Sequence, residues 1–174
     1  MTSRAVQSLG AVALIPLVLT SCTDRAPDAP PATASPATTS ASADPRGEIT
    51  QAYVDFWAVG NAVAREDPGT WRTKLESVAV DPQLSRMLDN LGALQSRSLT
   101  VYGATREHVT NIDIAGDIAT VQDCQDASGT GQADAKTGAH KTVGVPRSPV
   151  TARMQHDTDG KWRVAEVSYP GGTC

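Results

Sequence analysis

Aromatic residues are scarce in this chain: three tryptophans, three tyrosines and one phenylalanine among 174 residues. All of them lie beyond residue 50, at Tyr53, Phe56, Trp57, Trp71, Tyr102, Trp162 and Tyr169. Large apolar groups dominate burial energetics, so the folded core has to form in that part of the chain. The length allows one compact domain with extensions, hardly two. Basic charge is also lacking. A net charge of -4 and a pI near 5.3 leave no electrostatic footprint for nucleic acid. They also argue against a membrane held mainly through charge. No Gly-rich phosphate loop follows a strand pattern, no Gly-x-Ser-x-Gly occurs, and basic and aromatic residues do not interleave.

Residues 1–21 read as a targeting signal, outside the fold. Arg4 supplies a thin positive start, and an apolar run of eleven residues covers 9–19, too short to span a bilayer as a mature helix. The run ends in Leu19-Thr20-Ser21-Cys22, which resembles a bacterial lipobox. A branched apolar residue and two small ones let a signal peptidase reach the bond before the cysteine, whose thiol carries the lipid. The alternative is an ordinary secretory leader with an incidental cysteine. On the first reading Cys22 is lipidated and several acyl chains give stable anchoring. The partner is then the membrane, and the rest of the chain lies on its extracytoplasmic face.

Residues 22–46 contain no aromatic, valine, isoleucine or leucine, only Pro, Ala, Thr, Ser, Gly-free turns of charge and the Cys itself. Such a segment cannot offset the entropy of ordering, and it reads as a disordered tether. Its reach lies between roughly 25 Å as a coil and about 75 Å as extended polyproline II. The folded domain is expected over 47–174. If Cys22 is acylated, Cys124 and Cys174 remain as an even pair in an oxidising compartment. A bridge between them closes a long loop, worth roughly 4 kcal/mol in the chain-entropy model. Two free buried thiols or a redox pair are the alternatives, and the lack of a Cys-x-x-Cys spacing argues against the redox pair.

Asp44-Pro45 supplies an N-cap and first helical residue, and Ile49, Tyr53, Phe56, Trp57, Gly60 and Val63 recur at helical spacing. Asp67-Pro68-Gly69 stops that helix. A shorter helix presents Trp71, Leu75 and Val78. A third, opened by Asp81-Pro82, carries Leu84, Met87, Leu88, Leu91 and Leu94 on one side. The period then changes. Residues 99–104, 106–114 and 118–124 read as strands, with Ala115-Gly116-Asp117 as a turn. Residues 125–141 read as a long exposed loop. Val143 and Val145 begin a strand that Pro146 and Pro149 interrupt. A hairpin over 150–156 and 161–169 turns at Asp157-Thr158-Asp159-Gly160. Three helices followed by consecutive antiparallel strands imply an α+β domain with the helices on one sheet face.

The helix with Ala52-Tyr53-Val54-Asp55-Phe56-Trp57, the order of elements, and the closing Trp162-Arg163-Val164-Ala165-Glu166-Val167 together resemble nuclear transport factor 2-like domains. In particular they are similar to secreted actinobacterial lipoproteins with that fold. The resemblance covers about residues 47–174. It implies a curved antiparallel sheet of four to six strands, wrapped around the first helix as a cone with a pocket. It also implies that the mid-sheet Asp123-Cys124 segment pairs with Cys174. Some members of the superfamily are isomerases or dehydratases, and many only bind or mediate assembly.

Within such a cone, Tyr53 and Trp57 would frame the mouth or belong to the core. Two-residue alternation puts Trp162, Val164 and Glu166 on one face of the last strand. If that face were concave, burial would favour protonated Glu166, as proton abstraction beside a carbonyl requires. The opposite face, with Ala165, Val167 and Tyr169, is equally apolar. Isomerase chemistry also needs an oxyanion-stabilising donor; Asp55, Asp113, Asp123, Tyr102 and Tyr169 are conceivable participants, and spacing singles out none. His108, His140 and His156 have no metal-ligand spacing, so no metal or cofactor is expected. The leading expectation is binding of a small apolar ligand or an envelope protein. The rivals are an isomerase or lyase with a carboxylate base, and a structural domain that dimerises or serves a membrane complex through an exposed apolar sheet face.

Overall fold

The structure, a computed structural model, describes residues 44–174. The expected leader, the expected lipidation site Cys22 and nearly all of the expected tether lie outside the described residues. No described helix is long and apolar enough to cross a membrane.

Helix α1 spans Pro45–Val63. Asp44 caps it, its carboxylate accepting from the Arg46 amide at 3.0 Å, and Pro45 takes the first turn, where its missing N–H is harmless. Ile49, Tyr53, Phe56 and Val63 are its buried stripe. Asp67 then caps a single 3-10 turn, Pro68–Thr70, through the Gly69 amide at 2.7 Å. This turn leads into the short α2, Trp71–Leu75. Helix α3, Gln83–Ser96, buries Leu84 and Leu91 and partly buries Met87 and Leu88.

Six strands follow: β1 Leu99–Tyr102, β2 Val109–Ala115, β3 Ile118–Gln125, β4 Gly131–Asp134, β5 Ser148–His156 and β6 Trp162–Ser168. They form two antiparallel sheets, one of four strands in the order β2-β3-β5-β6 and one of two, β1-β4. The α+β class thus stands, with the strands divided between two sheets. The core lies between the helices and one face of the larger sheet, where Ile112, Ala119, Val121, Ala152, Met154 and Val164 meet the stripe of α1. The opposite face carries Asp113, Thr120, Gln122, Thr151, Arg153 and Glu166, a polar set. The chain after α2 docks on the edge of β6, with the Val80 amide on the Val164 carbonyl at 3.0 Å and the Val164 amide on Val78 at 2.9 Å. An edge that would otherwise invite another strand is covered there.

Three expectations are corrected. Residues 125–141 are not an exposed loop throughout. Strand β4 pairs with β1 in register Leu99↔Asp134 to Tyr102↔Gly131, and Gln125, Thr130 and Ala133 are buried. Backbone pairing and a close approach that only glycine allows hold this polar segment: a Cβ on Gly131 would stand 2.2 Å from the Thr142 carbonyl. Val143 and Val145 start no strand and are 66% and 60% exposed, whereas β5 begins at Ser148 and has Pro149 as its second residue, at a strand start where proline is tolerated.

The third correction concerns β6. Its register with β5 steps from Arg153↔Glu166 to Met154↔Val164, so Ala165 is the extra residue of a β-bulge. Val164 and Ala165 are consecutive and both fully buried. The bulge reverses the alternation beyond it. Trp162 and Val164 face the helices, while Glu166 stands opposite Arg153 on the other side.

Candidate functional site

Inside the domain α1 and β3 meet at a polar contact. Tyr53 is fully buried on α1, and Asp123, 4% exposed, continues the inward parity of Ala119 and Val121 on β3. The Tyr53 hydroxyl donates to Asp123 Oδ2 at 2.9 Å, and the His108 amide donates to Oδ1 at 2.5 Å. Burial pushes the Asp123 carboxyl up, against the pull of these two donors. Burial, then the Asp123 charge, drives the Tyr53 phenol far above its ordinary value and keeps it a proton donor. Glu107 is half-buried beside this pair; burial raises its carboxyl first and the Asp123 charge raises it further. It accepts from the Thr105 hydroxyl at 2.7 Å.

Trp57 packs edge-on against Phe56 and Tyr53, with ring centroids 5.1 and 6.2 Å apart, and its buried indole N–H has no hydrogen-bond partner among the described residues. Tyr53 and Trp57 are therefore brought together as interior groups. None of the four main cavities reaches Tyr53, Trp57 or Asp123. Each oxygen of Asp123 accepts one hydrogen bond from the protein's own donors.

The other expected site residues stand elsewhere. Trp162 packs on the core edge, 4.9 Å from the His156 ring. Glu166 is half-exposed and faces Arg86 of α3 at 3.6 Å, outside every main cavity. As a candidate base it is corrected by the bulge: two-residue alternation fails at Ala165. Asp55 is exposed and accepts from Gln51, and Asp113 accepts from Asn111. The Tyr102 hydroxyl donates to the Thr142 carbonyl, and its ring stacks on His140 at 3.6 Å; Tyr169 is exposed. The histidines remain apart, and no cluster of potential metal ligands occurs among the described residues. Cys124 and Cys174 form a disulfide, with Cα atoms 5.7 Å apart. The Cys174 amide donates to the Arg147 carbonyl and the Arg147 side chain donates back to Cys174.

Two grooves of ligand size open on the outside of the domain. One, about 590 Å³, runs along α1 beside Val78 and Trp162 and carries Glu48, Asp55 and Lys161. The other, about 630 Å³, lies where the end of α1, the end of α3 and the start of β1 converge. Trp71, Leu91, Leu94 and Leu99 line it, with Arg65 and Lys136 also in its wall. Sequence reasoning placed Leu91 and Leu94 on the buried side of α3 but found neither groove, because their walls come from segments distant in the chain. The Asp123 contact did have a signal, a carboxylate at an inward strand position following Ala119 and Val121.

No protein-family profile matches the sequence, and no curated protein matches it. Solved structures do. The intermembrane-space region of the chloroplast protein ARC6 aligns over 74% of this chain and 98% of its own, at 13% identity and a TM-score of 0.53. A ketosteroid isomerase-like protein from Erwinia carotovora atroseptica aligns over 72% and 96%, at 12% identity and a TM-score of 0.46. A protein from Catenulispora acidiphila aligns over 71% and 90%, at 13% identity and the same TM-score of 0.46. At such identities the likeness to the ARC6 region is one of fold: the described domain shares its architecture.

Proposed function

We propose that the chain is an extracytoplasmic lipoprotein, anchored through Cys22, whose nuclear transport factor 2-like cone binds a small ligand and catalyses nothing. The observation that carries this reading is the contrast between interior and exterior. The buried carboxylate, Asp123, is held by Tyr53 on one oxygen and His108 on the other, and none of the four main cavities reaches it. The groove between α1, α3 and β1 is open, apolar along one wall and of the size that holds small ligands. An isomerase or lyase would need a base and an oxyanion donor facing one void. Here the donor Tyr53 and the base Asp123 face each other.

The test has two parts. Full-length chain purified from its host's membranes is stripped, and the released small molecules are identified by mass spectrometry. A bound molecule lost on Leu94→Arg supports the reading, because Leu94 lines the groove. A carbonyl substrate turned over by the wild type and not by Asp123→Asn contradicts it. Cys22→Ala tests the anchor: release from membranes, or an unprocessed precursor, is expected, and unchanged detergent-phase partitioning refutes lipidation.

Docking of an envelope protein is the second reading. It is favoured by the groove along α1, where Ala52 and Val59 lie one above the other beside Trp162, a shape that suits a helix or extended segment.

A further inference from the structure

The two outer grooves have opposite charge. The groove along α1 holds Glu48 and Asp55 against Lys161. The groove at the ends of α1 and α3 holds Arg65 and Lys136 against Glu66, and Glu66 is ion-paired with Lys74 at 2.5 Å. Neither Arg65 nor Lys136 has a carboxylate within ion-pair distance among the described residues. One Arg65 nitrogen donates to the Val101 carbonyl at 3.1 Å, which fixes the guanidinium while leaving its other donors for a ligand. In a chain of net charge -4, two cations without a carboxylate partner among the described residues are a local inversion of sign on this groove.

The apolar lining defines the rest of the ligand. Leu94 and Leu99, with the edges of the largely buried Trp71 and Leu91, supply the apolar part of a lining that also carries Gln95 and Ser98. The Trp71 indole N–H is spent on the Glu66 carbonyl at 3.2 Å, and the Thr100 hydroxyl on the Ala64 carbonyl at 3.0 Å. A ligand that fits is therefore amphipathic, apolar where it meets the leucines and anionic at the end that meets the cations. The planar fork of an arginine matches a carboxylate in two parallel hydrogen bonds, and Lys136 adds a point charge.

We infer that this groove binds a long-chain fatty carboxylate, its chain against Leu91, Leu94 and Leu99 and its headgroup on Arg65 and Lys136. The inference rests on the binding function proposed above and names the ligand class of the same groove. Chain burial supplies the affinity by removing apolar surface from water, and the cations supply selection by charge.

Full-length protein in membranes is exposed to photoreactive diazirine analogues of dodecanoate, dodecanol and dodecyltrimethylammonium, and labelled peptides are mapped by mass spectrometry. The carboxylate probe is expected to label residues 64–71 and 91–100, and excess dodecanoate to suppress that labelling. Arg65→Gln combined with Lys136→Gln should lower it about tenfold, whereas Lys161→Gln, in the other groove, leaves it unchanged. Equal labelling of these segments by the alcohol or the ammonium probe overturns the assignment of a carboxylate while the binding function stands. If no probe labels them in the wild type, the groove is not a ligand site, and both readings fall.

Discussion

Tyr53 and Asp123, seventy positions apart in sequence, are joined by a 2.9 Å hydrogen bond from phenol to carboxylate in the middle of the core. This contact ties α1 to β3, and the His108 amide on the other carboxylate oxygen ties in the segment leading to β2. A buried carboxylate with one donor on each oxygen acts as a latch. Removing one donor leaves the charge undersatisfied in a place that water does not reach.

Tyr53→Phe should therefore destabilise the domain by about 1–3 kcal/mol, although it removes a single oxygen. The Asp123 carboxyl should move further up in an NMR titration. Denaturant unfolding checks the first part, and a variant as stable as the wild type would show that the hydrogen bond is idle.

The same pair gives stability a pH dependence whose sign follows from the direction of the shifts. Asp123 and Glu107 are both raised by burial, so the folded state holds protons that the unfolded chain has already released. Their contribution is present below the unfolded carboxylate range and lost as pH rises through the folded, elevated values. Asp123→Asn should flatten that part of the stability curve, and melting temperatures across acidic buffers measure it. An unaltered slope would place the titration elsewhere. Asp159 has the opposite sign: Arg163 depresses it to about 2, so its contribution persists until strongly acid pH.

The bulge at Ala165 makes a prediction that plain alternation reverses. Ala165→Glu puts a charge at a fully buried position and should cost more than about 3 kcal/mol. Glu166→Ala removes only a half-exposed ion pair with Arg86 and should change stability by less than about 1 kcal/mol. Comparable losses for the two substitutions would refute the bulge.

Breaking the Cys124–Cys174 bridge, which spans 50 residues, should cost about 4 kcal/mol through the unfolded chain. Cys174→Ser and reduced wild type should melt together, below the oxidised protein. A wild-type melting curve unmoved by dithiothreitol would mean that the bridge does not hold the fold.

Much of this architecture could be read where local chemistry decides it. Asp44-Pro45 announces the start of α1, and Ile49, Tyr53, Phe56 and Val63 announce its buried side, because a cap and a helical period are properties of neighbouring residues. Asp159-Gly160 marks its hairpin for the same reason, with Gly160 at φ 78°. What could not be read depends on partners distant in the chain. Strand β4 has little strand propensity of its own and exists because β1 offers it a ladder. The extra residue in β6 is visible only against β5, so Glu166 seemed to share a face with Trp162. The groove of Arg65, Leu94 and Lys136 gathers three remote segments, and no spacing rule connects them.

The most direct test of the account is a crystal structure of the full chain with dodecanoate. The account predicts density for the chain along Leu91, Leu94 and Leu99, a carboxylate at Arg65 and Lys136, and an intact Tyr53–Asp123 hydrogen bond. Density inside the core between α1 and β3, with Tyr53 and Asp123 parted and both turned toward the ligand, would contradict it.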